Sequence, residues 1–348
     1  MLRQQLRLQR VQMPNRMRVS LDQIADRKNL ADAVYLAARG KRLHANVGHF
    51  LSSCEDNLNG LAREIVAGTY LPSPYDQFVI NDPKRRTIHA PVFRDRVLHH
   101  AIVLITGEHL DRTLIDDSFA CRVGKGSLAA VHRAQSFCQR YPWYAKVDVL
   151  QYFHSIDHEV LMDAFARRFK GKRFLNLIER IVCSFEASNG KGLPIGALTS
   201  QYFANLYLNL SDRWLSSQQE VRSVVRYMDD TICWFNDKAS AKAIVVRIEE
   251  FLRDQLQLEL SRRTQINRSS HGLPFCGHLI FPGIVKLSKR RKRLYITACL
   301  KSEREYLDGK ISAMELQAAY ASAYAMSKHA NSLQWRKTRL QQHLLTEV

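Results

Sequence analysis

Two adjacent carboxylates sit where the chain has to reverse. Residues 221–226 and 231–235 are apolar, β-rich runs, and only Tyr227-Met228-Asp229-Asp230 separates them. That spacing leaves room for a tight hairpin, with the strands rooted in a core and Asp229 and Asp230 carried to the tip. Far upstream, Asp148 closes another short strand, Ala145-Lys146-Val147-Asp148-Val149. If these strands are neighbours in one sheet, the carboxylates converge and repel one another unless a hard divalent cation binds between them. Oxygen ligands without His or Cys suit Mg2+ rather than Zn2+. Two such ions on one carboxylate cluster serve in-line phosphoryl transfer, one on the attacking oxygen and one on the leaving oxygen. Taken alone, an Asp-Asp pair is also an ordinary hydrophilic turn.

The charge balance points to a polyanion. Fifty-two Lys and Arg against 33 Asp and Glu leave a net charge of +19 on 348 residues. Basic surface gains free energy by releasing the counterions condensed on phosphates, so nucleic acid is the first partner to expect, with an anionic membrane surface behind it. Apolar residues make up 46%, enough for a real core, which excludes disordered and collagen-like classes. A chain this long is one large domain or two to three subdomains. The longest uncharged stretch, residues 192–211, contains Pro194, Thr199, Ser200, Gln201 and Asn205 and does not read as a membrane span. No membrane partner is therefore expected. The first twenty residues carry Arg3, Arg7, Arg10, Arg16 and Arg18 with no acid and no apolar signal region, which reads as a basic arm, with a transit peptide as the alternative. Seven cysteines without a CxxC pair read as reduced thiols in a cytoplasmic protein, and no zinc site is evident. His99, His100, His154 and His158 read as structural.

Periodicity gives a mixed order of elements. Residues 21–67 repeat apolar positions at helical spacing, as in Leu58, Leu61, Ala62 and Ile65, and end at Gly68, a helix-terminating glycine. Residues 75–91 alternate as two strands about Asn81-Asp82-Pro83. Helices are expected over 96–110, 159–169 and 239–256, strands over 145–149 and around 275–280, and a basic helical tail from Ser288. Hairpins mixed with helices predict an α+β fold rather than a doubly wound sheet.

These segments also resemble a known family. Tyr227-Met228-Asp229-Asp230 is similar to the YxDD signature of reverse transcriptases. Lys146-Val147-Asp148 with Tyr152-Phe153-His154-Ser155-Ile156-Asp157 resembles their first palm motif. Leu193-Pro194-Ile195-Gly196-Ala197-Leu198-Thr199-Ser200-Gln201 followed by Ala204-Asn205 resembles the glycine-bearing motif, and Phe275-Cys276-Gly277-His278 the primer-grip hairpin. Lys84-Arg85-Arg86-Thr87-Ile88 with Phe93-Arg94-Asp95-Arg96, and Phe119-Ala120-Cys121-Arg122-Val123-Gly124-Lys125-Gly126, resemble the two fingers motifs. Within the family, Ile195-Gly196-xxx-Ser200-Gln201 replaces the usual QGxxxSP and resembles the reverse transcriptases of diversity-generating retroelements. So do Ala67-Gly68-Thr69-Tyr70 and the run Arg94-Asp95-Arg96-Val97-Leu98-His99-His100. One departure is Leu258-Glu259-Leu260-Ser261-Arg262-Arg263-Thr264. Many relatives place there a lysine that protonates pyrophosphate, a role arginine fills poorly.

The resemblance implies a right-hand polymerase. Its expected parts are a basic helical extension over 1–60, fingers over 61–140, a palm over 141–283 and a basic helical thumb over 284–348. The implied reaction is RNA-directed DNA synthesis from a dedicated template RNA, error-prone and serving mutagenic retrohoming. Asp148, Asp229 and Asp230 are the expected catalytic and metal-binding residues, with two Mg2+ ions as cofactor and Mn2+ as a substitute. Lys84, Arg86, Arg122, Phe153, Ile195, Gly196 and Gln201 are the expected substrate-binding residues. Expected partners are the template RNA, the RNA/cDNA duplex, dNTPs and a small basic helical accessory protein, in a bacterial or phage-encoded cytoplasmic setting. Two other functions compete. One is a defence-associated or stand-alone bacterial reverse transcriptase that copies a noncoding RNA. The other is a catalytically inactive RNA-binding scaffold, which the presence of all three carboxylates disfavours.

Overall fold

The computed structural model describes residues 16–81 and 85–342. Its strands are β1 (Met17–Arg18), β2 (Asp76–Ile80), β3 (Arg86–Ala90), β4 (Trp143–Val147), β5 (Phe169–Lys170), β6 (Ser223–Tyr227), β7 (Asp230–Phe235), β8 (Gln265–Arg268), β9 (Leu273–Phe275), β10 (His278–Ile280) and β11 (Val285–Leu287). Helices alternate with them, so the α+β class expected from the sequence is the class observed. Among the described residues no helix is long and apolar enough to cross a membrane.

The chain divides into two interleaved compact units. The first takes the N-terminal residues through Ile115, then Val149–Arg213 and Glu249–Leu260. It opens on four short helices, Leu21–Ala25, Arg27–Ala38, Ala45–Ser52 and Cys54–Ala67. Ser20 and Gln23 form a reciprocal capping box at the start of the first. Gly68 ends the last at φ 74°, its N–H turned back to the carbonyls of Glu64 and Ile65. A glycine is suited to that left-handed position because a Cβ there is disfavoured. β2 and β3 pair antiparallel from Asp76↔Ala90 to Ile80↔Arg86, and the long helix Phe93–Thr113 follows.

The expected helix over 159–169 stops at Ala166, and Phe169 instead enters β5, which pairs parallel with β1. Phe169 is fully buried, 5.8 Å from the Phe165 ring and 5.3 Å from Phe174. Burial among aromatic side chains, not helix propensity, decides that boundary. Helix Leu198–Ser216 occupies the long uncharged stretch. Its Phe203, Ala204, Leu206, Tyr207 and Leu208 are all buried, so it lacks the polar face that would mark an amphipathic helix.

The second unit comprises Asp116–Asp148, Trp214–Ile248 and Ser261–Val348. Its four-stranded sheet runs β6-β7-β4-β8, every neighbour antiparallel. Helix Ser127–Arg140 brings Ala130, Val131, Ala134 and Phe137 into one buried cluster with Tyr144, Val225, Ile232 and Trp234 of that sheet. A three-stranded sheet, β11-β10-β9, adds Leu273, Phe275, Ile280 and Val285 to the same cluster. Helices Lys289–Leu307, Ala313–Ser327 and Leu333–Gln342 close the chain, the first capped by Ser288, whose hydroxyl accepts from the Arg291 N–H.

Candidate active site

The hairpin at the centre of the sequence forms in the second unit. Tyr227 pairs with Asp230, so Met228 and Asp229 alone make the loop between β6 and β7. Met228 sits at φ 55°, the left-handed conformation that the first residue of a two-residue hairpin loop adopts and that is costly for a side-chain-bearing residue. Arg226 holds this turn from inside. Its side chain is fully buried and its guanidinium donates to the Met228 carbonyl at 3.1 Å. The Arg226 backbone is pinned as well. Its N–H donates to Asp117 O and its carbonyl accepts from Phe119 N–H, both at 2.9 Å, so residues 117–119 flank β6.

β4 pairs with β7 through Val147↔Thr231. Asp148 follows directly after the last residue of β4, and Asp230 directly precedes Thr231 on β7. The Asp148 carbonyl accepts from Ser261 N–H at 2.8 Å, which fixes the strand end. The neighbouring strands posited from sequence are therefore adjacent in the fold. All three aspartates are half-buried.

Lys146 enters this group. Its ammonium lies 2.9 Å from Asp230 Oδ1 and 3.4 Å from the carbonyl of Pro274 on β9. The β9–β10 hairpin turns at Cys276 and Gly277, with φ 45° and 77°, the two left-handed residues of a type I′ turn. The Arg291 guanidinium packs over Gly277, where a Cβ would force that side chain to move. Burial, and after it the Asp230 carboxylate, push the Cys276 thiol up to about 12, so it is protonated at neutral pH. A protonated thiol is a poor nucleophile. Burial and then Arg291 lower His278 to about 4, leaving its ring neutral. Arg122 belongs to this unit too, half-buried and donating to Ser118 O at 2.9 Å.

The other expected residues lie in the first unit. The Ile195 carbonyl accepts from His89 N–H of β3 at 2.8 Å, which lays the glycine motif against that strand. Gly196 has φ 130°, and a Cβ would come within 2.8 Å of Ile88 Cγ2 and 3.0 Å of His89 O. Leu193 N–H donates to the Phe153 carbonyl at 2.7 Å, so Phe153 and the Ile195 segment are tied locally. Phe153 and Ile195 are half-buried, whereas Arg86, the first residue of β3, is exposed. Gln201 lies in the first turn of helix Leu198–Ser216, half-buried. Lys84 lies outside the described residues. Two of the histidines have structural partners. His99 is fully buried, lowered to about 3 by burial, and contacts Thr199 Oγ1 at 3.2 Å, and His158 Nε2 lies 2.8 Å from Gly192 O.

Among the described residues, no three His, Cys, Asp or Glu side chains close into a ready-made metal cage. The donor chemistry nonetheless fits a hard divalent ion. Asp230 begins β7, Asp229 precedes it in the loop and Asp148 follows the neighbouring strand β4, and Mg2+ is usually bound through one or two carboxylates plus substrate phosphates rather than by an all-protein cage. Sequence reasoning missed Lys146 and Arg226. Lys146 was readable in principle, standing two residues before Asp148 on a strand and so on the same face. Arg226 carried no such signal, since a charge beside a turn reads as exposed.

The family model described as "Reverse transcriptase (RNA-dependent DNA polymerase)" matches residues 81–277. The chain is 24% identical over 265 residues to Protein YkfC of Escherichia coli, covering 63% of this chain and 69% of that one. It is 23% identical over 167 residues to the putative COX1/OXI3 intron 1 protein of Saccharomyces cerevisiae, covering 45% of this chain and 20% of that protein. Apo telomerase from Candida tropicalis is similar with a TM-score of 0.47 and 12% identity, covering 62% of this chain and 49% of that one. The chain thus spans about half of the telomerase chain and a fifth of the yeast protein.

Proposed function

The chain belongs to the reverse transcriptase (RNA-dependent DNA polymerase) family, and we propose that it is an active RNA-directed DNA polymerase that adds dNTPs to a primer 3′-hydroxyl. The observation that supports this reading is the pairing of β4 with β7 up to Val147↔Thr231, which brings the strand leading to Asp148 next to the hairpin whose two-residue loop holds Asp229 and whose second strand starts at Asp230. Asp148 and Asp229 serve as the main ligands for Mg2+, and Asp230 assists. When bound, the divalent ions supply charge neutralisation at the attacking oxygen and the triphosphate. The chain's own part is positioning: strands fix the carboxylates, and Arg226 fixes the turn that bears Asp229. Arg86, Lys84 and Arg122 hold the triphosphate or template by charge-assisted hydrogen bonds. Fingers over 61–140, palm over 141–283 and thumb over 284–348 complete the assignment, with 1–60 as an N-terminal helical extension.

Ile195-Gly196-xxx-Ser200-Gln201 supports the finer reading, an error-prone reverse transcriptase of a diversity-generating retroelement working on a template RNA with a small basic accessory protein. A glutamine before the glycine could donate and accept hydrogen bonds near the incoming sugar, and Ile195 can do neither. One net hydrogen bond contributes roughly 0.5–1.5 kcal/mol. Ile195→Gln is therefore expected to improve fidelity several-fold, read by sequencing cDNA made from a defined RNA. The same misincorporation spectrum in both proteins would leave Ile195 with packing alone.

Sugar choice rests on Phe153. Its ring, five residues past Asp148, excludes a ribose 2′-hydroxyl from the nucleotide site. Phe153→Ala is expected to raise rNTP incorporation relative to dNTPs, measured by competing the two on one template, and unchanged selectivity would remove the ring from this role. The overall reading is tested by primer extension on an RNA template with the carboxylate variants taken up in the Discussion.

A further inference from the structure

We propose that Lys146 is a resident counter-ion of the carboxylate site, the residue that keeps Asp230 an assisting carboxylate and sets the site's affinity for divalent cations. The inference deepens the polymerase reading and rests on it. Lys146 lies on β4 opposite Ile232, and Asp230, two residues before Ile232 on β7, shares its face of the sheet. The ammonium is 2.9 Å from Asp230 Oδ1, with the lysine side chain 17% exposed and the carboxylate 33%. Its second partner, the Pro274 carbonyl at 3.4 Å, steadies the lysine from β9. The pair is thus anchored on two strands and partly withdrawn from solvent, unlike a surface ion pair.

The consequence is electrostatic. In formal charges the three aspartates sum to minus three, Arg226 beneath the turn and Lys146 each add plus one, and removing Lys146 leaves the local sum one unit more negative. Without the lysine, the first ion meets one more unit of negative charge. A divalent ion about 6 Å from a unit charge, even at the dielectric constant of water, interacts by roughly the energy of a tenfold affinity change. Lys146 therefore weakens cation binding by about that factor. It acts through Asp230 and is a positioning residue.

The test uses the full chain without nucleotide and reads Mn2+ binding by electron paramagnetic resonance of the free ion. Lys146→Met, close in volume but uncharged, is expected to tighten Mn2+ about tenfold, and Lys146→Arg to stay near wild type. The double variant Lys146→Met/Asp230→Asn restores the charge sum and is expected within about twofold of wild type. A merely structural lysine would give looser binding on removal, never tighter. Unchanged or weaker binding in Lys146→Met overturns the inference. If that single variant does not fold, a tenfold departure of the double variant in either direction does the same. Asp148→Asn and Asp229→Asn serve as the control on the underlying site: if neither weakens Mn2+ binding, the metal-site reading fails, independently of Lys146.

Discussion

Asp229→Asn is expected to cut the single-turnover rate of RNA-templated dNTP addition by at least roughly 10²–10³-fold, the scale at which one preorganised electrostatic group contributes to catalysis. RNA affinity is expected to stay within about twofold, because binding to phosphates depends on the summed basic surface and not on one carboxylate. The substitution keeps the size of the side chain and removes only its charge, so the Met228-Asp229 loop retains its Arg226 clamp. Primer extension and a gel-shift titration at one salt concentration separate the two effects. Extension at a near-native rate would remove Asp229 from the chemistry, whereas loss of RNA binding in parallel would point to a folding defect.

Gly196→Ala is the second large effect. The backbone there is at φ 130°, where an L side chain is strained, and the added Cβ meets the branched Ile88 side chain at 2.8 Å and the His89 carbonyl at 3.0 Å. Neither neighbour can swing away: Ile88 is held in β3 and His89 N–H is bonded to Ile195 O. Backbone strain of about 1–3 kcal/mol and overpacking of similar size together make a cost of roughly 2–6 kcal/mol. A lower denaturation midpoint in urea, accompanied by loss of extension activity, is the expected result. A variant as stable as wild type would mean that the glycine motif can separate from β3 without cost.

Sequence made most of the local architecture legible where periodicity and turn chemistry agree. Gly68 ends its helix in the left-handed conformation the residue permits, and Met228-Asp229 turns between strands close to those read from the apolar runs. Helix Leu198–Ser216 was hidden because burial on most sides erases the polar face that periodicity needs. Helices Ser127–Arg140 and Lys172–Val182 lie outside the segments expected from sequence, although each carries apolar residues at helical spacing. Strand β8 is four residues, Gln265–Arg268, with two polar ends, and its place beside β4 is a long-range pairing that no local pattern encodes.

The site divides along the same line. From sequence, the pairing of β4 with the hairpin is only a condition for the carboxylates to converge, since an Asp-Asp turn is also ordinary hydrophilic chemistry, and the pairing itself is seen only in the fold. The ion pair of Lys146 with Asp230 and the burial of Arg226 beneath the turn depend on which strands neighbour one another and on which face each side chain takes. The close fit of Gly196 against Ile88 and His89 likewise needs β3 in place before it has meaning.

RNA-templated DNA synthesis by the full chain is the most direct measurement. A defined RNA template with an annealed DNA primer, dNTPs and Mg2+ is incubated with wild type and with Asp148→Asn, and the products are sequenced. The account expects cDNA complementary to the RNA from wild type, dependent on added Mg2+, and no extension from Asp148→Asn at equal RNA occupancy. Wild-type protein that binds the primed RNA yet adds no nucleotide, or an Asp148→Asn protein that extends as well as wild type, would contradict it.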